Sequence, residues 1–186
     1  MQKGIRQILA CRDDINFNLQ ENSMINEKLL SNIYQVRKLT VDDIDDIYKL
    51  CCGNPLFYEY HPPFVTYDSI MEDMSALPPN KTVDDKYYIG FYSNEALVAI
   101  MDLIIGYPKE NIAFIGFFMT DETMQSKGVG SGIISDCIAY FKKSSIMKVR
   151  LGVDKGNPQS FHFWTKNSFL VDETFDGEYI VMERTL

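Results

Sequence analysis

The sequence predicts an α+β fold in which a sheet, antiparallel through its middle, is flanked by helices. Three observations predict it. Residues 86–120 hold three strand-like runs separated only by short turns, the pattern of an antiparallel meander. The stretch Gly128-Val129-Gly130-Ser131-Gly132 then leads into residues whose apolar members, Ile133, Ile134, Cys137, Ile138 and Phe141, share one helical face. After that the chain alternates once more: strand, helix, two strands.

Residues 1–33 read as an N-terminal extension, and residues 34–186 as one domain. In the extension, Ile5, Ile8 and Leu9 fall at helical spacing, a polar stretch follows, and Leu29, Leu30 and Ile33 give a second short helical face. Two short helices packed on the domain fit this pattern, and so does a contact pairing two copies into a homodimer. The domain opens with a strand from Tyr34 to Thr40. Thr40 caps a helix with Asp42 and Asp43 in its first turn, where acids favour the positive helix end. Ile44, Ile47, Tyr48 and Cys51 form the apolar face of that helix, and Gly53-Asn54-Pro55 ends it. An aromatic loop follows, in which Pro62-Pro63 excludes helix. Thr66 caps a second helix carrying Ile70, Met71, Met74 and Leu77. The meander comes next, with a turn at Asn94-Glu95, and then the glycine stretch and its helix. Lys148 to Asp154 is a strand. Asn157 caps a helix with Pro158 at its first position, and two strands joined through Asp176-Gly177 close the chain.

Composition narrows the function. A formal net charge of −8, from 18 basic and 26 acidic residues, argues against a nucleic-acid binder, which needs a basic face. The same acidity suits a cationic acceptor such as an amine, and it also suits plain solubility. The cysteines Cys11, Cys51, Cys52 and Cys137 make no C-x-x-C pair, so a metal site is not expected and reduced thiols are. No apolar run has signal-peptide length or approaches the roughly 18 residues of a membrane span, so a cytoplasmic protein without membrane contact is expected.

The glycine stretch carries the chemistry. A helix start offers unpaired N–H groups and a positive dipole end, and glycines let an anion approach the backbone closely. A diphosphate is the natural guest, with Lys127 adding charge and Ser126 and Ser131 offering hydroxyls. The glycine spacing does not fit the dinucleotide fingerprint G-x-G-x-x-G, and the strands before it form a meander rather than a crossover unit. The G-x-x-x-x-G-K-[ST] loop is absent as well.

Gln125-Ser126-Lys127-Gly128-Val129-Gly130 matches Q/R-x-x-G-x-G/A, the signature of the GNAT superfamily of N-acetyltransferases, which this chain resembles. The element order of residues 34–186, about four-fifths of the chain, follows that of the family. A second family region, N-x-x-A-x-x-F-Y-x-K-x-G-F, is matched in part by residues 157–169, with Trp164 at the tyrosine and Ser168 at the glycine. The resemblance implies a mixed, mostly antiparallel central sheet. It also implies an acetyl-CoA-dependent N-acetyltransferase in which a small amine acceptor attacks the thioester directly, with acetyl-CoA as co-substrate and no metal. By the same resemblance, main-chain groups of Phe118, Met119 and Thr120 pair with the pantetheine arm. Backbone N–H groups of Ser126, Lys127, Gly128, Val129, Gly130 and Ser131 hold the pyrophosphate. Asn157 and Trp164 stand near the thiol end.

Such a reaction needs a neutral amine, although a free lysine-type amine has a pKa of about 10.4. It also needs a donor for the oxyanion and a proton for the leaving thiolate. Asp102, Glu122 and Asp121 are the candidate bases. Asp102 either faces the substrate cleft or is a charge on the solvent side of its strand, and the other two also read as surface acids of the loop. Glu59, His61 and Tyr107 are the candidate acceptor-binding residues, lying among aromatics that can stack on a cation or line the cleft. The family commonly draws its acid from the tyrosine that Trp164 replaces, and an indole N–H does not titrate usefully. Tyr140, Tyr107 or a water can serve instead, or the thiolate leaves unassisted. The missing phenol leaves a second reading open, a non-catalytic acyl-CoA-binding or sensor module.

Overall fold

The computed structural model describes residues 25–186, so the helical face at Ile5, Ile8 and Leu9 lies outside the described residues. The elements run β1 (Gln35–Lys38), α1 (Ile44–Cys52), α2 (Pro55–Tyr60), α3 (Tyr67–Ser75), β2 (Lys86–Ser93), β3 (Ala96–Ile105), β4 (Ile112–Thr120), α4 (Val129–Phe141), β5 (Lys148–Asp154), α5 (Pro158–Lys166), β6 (Leu170–Val171) and β7 (Tyr179–Thr185). The strands form one seven-stranded sheet in the order β1-β2-β3-β4-β5-β7-β6. Every neighbouring pair is antiparallel except β4 and β5, which run parallel because α4 carries the chain across between them. No described helix is long and apolar enough to cross a membrane.

Alternation along the strands gives the sheet two apolar faces, each covered by helices. Ile133, Ile134, Cys137, Ile138 and Phe141 of α4 and Trp164 of α5 pack with Phe91, Met101, Leu103 and Leu151 on one face. Ile47 and Leu50 of α1 and Ile70 of α3 pack with Tyr88, Ile100 and Met119 on the other. Both faces of the middle strands are therefore buried, which is why β3 reads as a nearly continuous apolar run.

Several elements differ from the sequence expectation. Thr40 caps a 3-10 turn, Val41–Asp43, that runs into α1, and Asp43 closes a capping box while pairing with Arg37 of β1. The Arg37 guanidinium holds the Asp43 carboxyl down at about 2. The aromatic loop contains α2, with Pro55 in its first turn and its end at Tyr60, ahead of Pro62-Pro63. β6 is only two residues long, because the Asp172 side chain accepts the Thr174 N–H and turns the chain away. Ser168 itself takes the left-handed conformation, at φ 65°, that a glycine would adopt more easily.

The described part of the extension forms a strap. It makes one 3-10 turn, Glu27–Leu29, instead of the helical face expected at Leu29, Leu30 and Ile33. Asp136 of α4 accepts the Ser31 hydroxyl, the Asn32 N–H and the Asn32 side-chain amide. Tyr140, also on α4, accepts the Asn26 N–H, and Tyr87 of β2 accepts the Ile25 N–H. Leu30 is fully buried among the core residues of this face, whereas Leu29 and Ile33 are exposed. Leu30→Ala is expected to destabilise the protein by about 2–5 kcal/mol through the cavity it leaves. Leu29→Ala is expected to cost about 0.5 kcal/mol or less. Urea unfolding of both variants checks the contrast, and equal effects would contradict the strap.

Candidate active site

The sheet opens at its centre. β4 and β5 pair only from Ile112 with Lys148 to Ile115 with Leu151, although β4 continues to Thr120 and β5 to Asp154. The pairing stops at a β-bulge. Asp102 of β3 faces Phe117 and the next residue, Leu103, faces Ile115, so Gly116 is the extra residue. Beyond it, Gly116 to Thr120 have no ladder partner on the β5 side. They can pair with an extended ligand arm as a strand would. Gly116 is exposed at the middle of the sheet, and a Cβ there would stand 2.9 Å from Asp102 Oδ2, so only glycine leaves this notch open.

The glycine loop lies at the end of β4. Gly128 is the N-cap of α4 at φ 81°, with no side-chain cap and no acid in the first turn. α3 and α5, by contrast, are capped by Thr66 and Asn157. A Cβ on Gly128 or Gly132 would meet nothing within 4 Å, so both face open space. Gly130 has a different role. A Cβ there would come within 3.1 Å of Phe163 and 3.4 Å of Thr120, so its smallness lets α4 approach α5 and β4. Lys127 and Ser126 are exposed on the turn. The Ser131 hydroxyl accepts the Asn167 amide and keeps its own proton to donate, beside the main-chain N–H groups of the first turn that an anion would meet.

A chain of amides fastens this loop. Gln125 Nε2 donates to Asn54 Oδ1 at 2.5 Å, and Gln159 of α5 donates to Gln125 Oε1 at 3.4 Å. Asn54 Nδ2 donates to the carbonyls of Leu50 at the end of α1 and Thr120 at the end of β4. Asn54 is buried, and nothing in the sequence marks it beyond its place in the helix stop Gly53-Asn54-Pro55.

Beneath the opening, Phe118 stacks with Phe163 at 5.9 Å and tilts against Trp164 at 6.0 Å. Trp164 also meets Phe169 edge-on and is only 7% exposed, so this position serves the core. Met119 likewise turns its side chain into the core on the α1 side, which leaves only its main chain for a ligand. Asn157 is buried and caps α5 through the Ser160 N–H.

On the opposite face of the sheet lies a charged floor. Asp102 points to the α1–α3 side, where Lys86 Nζ of β2 donates to its Oδ2 at 2.8 Å. Its Oδ1 is buried without a partner, a situation that costs about 1–3 kcal/mol. Burial pushes the Asp102 carboxyl above its ordinary value, against the pull of Lys86. Partial desolvation also raises Asp73 of α3, while the charges of Lys86 and His61 pull it down. His61, just after α2, sets its Nδ1 3.0 Å from Oδ1 of Asp154, the last residue of β5. Phe57 of α2 packs against both His61 and Phe117.

The other expected residues lie elsewhere. Glu122 is exposed on the 3-10 turn Glu122–Met124, with its side chain near Gly53. Asp121 accepts the Thr123 N–H and closes that same turn. Glu59 is exposed on α2. Tyr107 packs on Phe114 beside the β3–β4 turn, at the end of β4 away from the opening. The Tyr140 hydroxyl is engaged by the strap.

The sequence profile of the acetyltransferase (GNAT) family matches residues 43–169. A spermidine N(1)-acetyltransferase of Thermoplasma acidophilum is 22% identical over 158 residues, covering 81% of this chain and 96% of that one. Among solved structures, an acetyltransferase from Thermus thermophilus superposes with a TM-score of 0.71 at 16% identity, covering 85% of this chain and 99% of that one. The PaiA N-acetyltransferase of Thermoplasma acidophilum, solved in complex with coenzyme A, superposes with a TM-score of 0.63 at 20% identity, covering 82% of this chain and 99% of that one.

Asn54→Ala would leave the Thr120 carbonyl and the Gln125 amide without their shared partner. We expect it to destabilise the fold by about 1–3 kcal/mol and to raise hydrogen exchange across residues 120–128. Exchange unchanged there would show that the amide chain does not hold the loop.

Proposed function

Because the chain belongs to the acetyltransferase (GNAT) family, we propose that it moves an acetyl group from acetyl-CoA to the primary amine of a small acceptor by direct attack. The observation that carries this reading is the opening between β4 and β5, with an uncapped glycine helix start at its end. A pyrophosphate fits that start: Gly128 and Gly132 leave open space there, and the first turn of α4 supplies N–H donors and dipole and holds no acid. The pantetheine arm then lies along the free side of Gly116–Thr120 and pairs with the main chain. The thioester reaches the bulge, where an N–H at Phe117 or Phe118 can polarise its carbonyl. Co-substrate and acceptor meet through the sheet, each arriving from its own face.

The acceptor comes from the α1–α3 side. Asp73, Asp102 and Lys86 together carry one net negative charge, which favours a cation. Phe57 and Phe117 supply aromatic surface beside it. Trp164 supplies no titrating group, so the thiolate leaves with a proton from solvent or from the attacking nitrogen. The reading places the reaction in the cytoplasm, consistent with the free thiols of Cys51, Cys52 and Cys137.

Incubation with acetyl-CoA and a panel of primary amines should release free thiol with at least one of them. Stabilisation by CoA with no amine consumed would instead favour a non-catalytic acyl-CoA sensor, a reading that the burial of Trp164 keeps in view. Gly128→Asp puts a side chain and a negative charge where the pyrophosphate would lie, in a backbone conformation that already disfavours any Cβ. It should weaken CoA binding about 10-fold or more, and unchanged affinity by calorimetry would remove the loop assignment. Asp102→Asn keeps a hydrogen-bond acceptor for Lys86 but removes the negative charge beneath the acceptor site. The amine KM should rise about 10-fold, with CoA affinity unchanged as the sign that the variant is folded.

A further inference from the structure

We infer that His61 is the group that takes the proton from the acceptor's ammonium, and that Asp154 is the positioning residue that makes it able to do so. This rests on the acetyl-transfer reading above. Asp154 is the last residue of β5 and lies beyond the point where β4 leaves that strand. Its side chain shares the sheet face of Arg150, opposite to that of Leu151 and Val153, which enter the core with α4. It therefore faces the acceptor side.

From there Oδ1 of Asp154 meets His61 Nδ1 at 3.0 Å, across 93 residues of sequence. The carboxylate is only 15% exposed, whereas the imidazole is 48% exposed. The buried partner thus fixes orientation and the open partner stays in reach of substrate and water. A carboxylate accepts only, so Nδ1 must donate, and the neutral ring keeps its lone pair on Nε2. Phe57, packed between His61 and Phe117, ties the ring to the strand segment with the free main-chain side. Asp154 from β5 and Asp73 from α3 both interact with His61, and Lys86 of β2 acts on the same Asp73. Asp102 is less suited to the task, since Lys86 already holds its Oδ2.

The step balances without a further reactant. The ammonium gives one proton to His61 Nε2 and becomes an amine. The amine lone pair forms the C–N bond to the thioester carbonyl carbon, and the C–S bond breaks with its electron pair leaving on sulfur. The second nitrogen proton passes to the thiolate, giving the amide and a free thiol. Protonated His61 then returns its proton to solvent, which its exposure permits.

The pairing makes a spectroscopic prediction, and the kinetics of the variants then separate a proton-accepting role from a purely structural one. In long-range 15N–1H spectra above neutral pH, with His162→Gln removing the only other histidine, His61 should be the Nδ1–H tautomer. Asp154→Ala should return it to the Nε2–H form that an unpartnered histidine side chain prefers. An Nε2–H tautomer in the parent protein overturns the inference. In thiol-release assays with spermidine, lysine and a dipeptide as amines, His61→Gln should lower kcat about 100-fold or more, with acetyl-CoA affinity by calorimetry unchanged. Asp154→Asn should show part of that loss in kcat, with little change in KM. Activity retained in His61→Gln overturns the proton-accepting role and leaves the acetyl-transfer reading standing. A wild-type protein that binds CoA yet turns over none of the amines overturns both.

Discussion

The structure depends on one interrupted ladder. β4 and β5 are neighbours at the centre of the sheet, yet they exchange hydrogen bonds over only four residue pairs before the bulge at Gly116 separates them. A gap in a sheet would ordinarily leave costly unpaired backbone. Here each strand keeps its other partner, β3 for β4 and β7 for β5, so the gap persists without loosening either half. The parallel course of the two strands matters too. Their C-terminal ends open together, and α4 has to begin beside that opening because it is the crossover between them.

That geometry sorts the electrostatics. The helix start and Lys127 favour an anion at one side of the opening. The floor on the other face holds Asp73, Asp102 and Asp154 against Lys86 and His61. A surplus of acid over the whole chain is thus compatible with a local anion site, because the first turn of α4 contains no acid. The overall charge says little about the loop and more about the acceptor side.

Legibility in the sequence followed how local each determinant is. The meander and α4 were readable because alternation and the stripe from Ile133 to Phe141 are repeated over many residues. α2 was not, since six residues are less than two helical turns and Pro62-Pro63 masked them. Leu30 was read as one of three residues on a helical face, whereas tertiary burial selected it alone. Gly116 carried a usable signal, a lone glycine inside a strand pattern, which marks a bulge or a close approach. Trp164 stood out as a departure from the family pattern, but its place in the core follows from Phe118 and Phe169 and could not be read from its own neighbours. The His61–Asp154 pair has no local trace, because a loop and a strand end meet only when the sheet is assembled.

The amide chain through Asn54 has a thermodynamic consequence. It touches the end of α1, the end of β4 and the turn before α4, and so joins the helix pair on the acceptor side to the turn on the nucleotide side. A nucleotide that stills Gln125 would also still Asn54, and through it the residues leading into α2. Coupling of this kind is reciprocal: whatever free energy one ligand contributes to ordering the shared amides, the other no longer has to supply. Under the reading proposed above, the two substrates should therefore bind with positive cooperativity, whichever of them enters first.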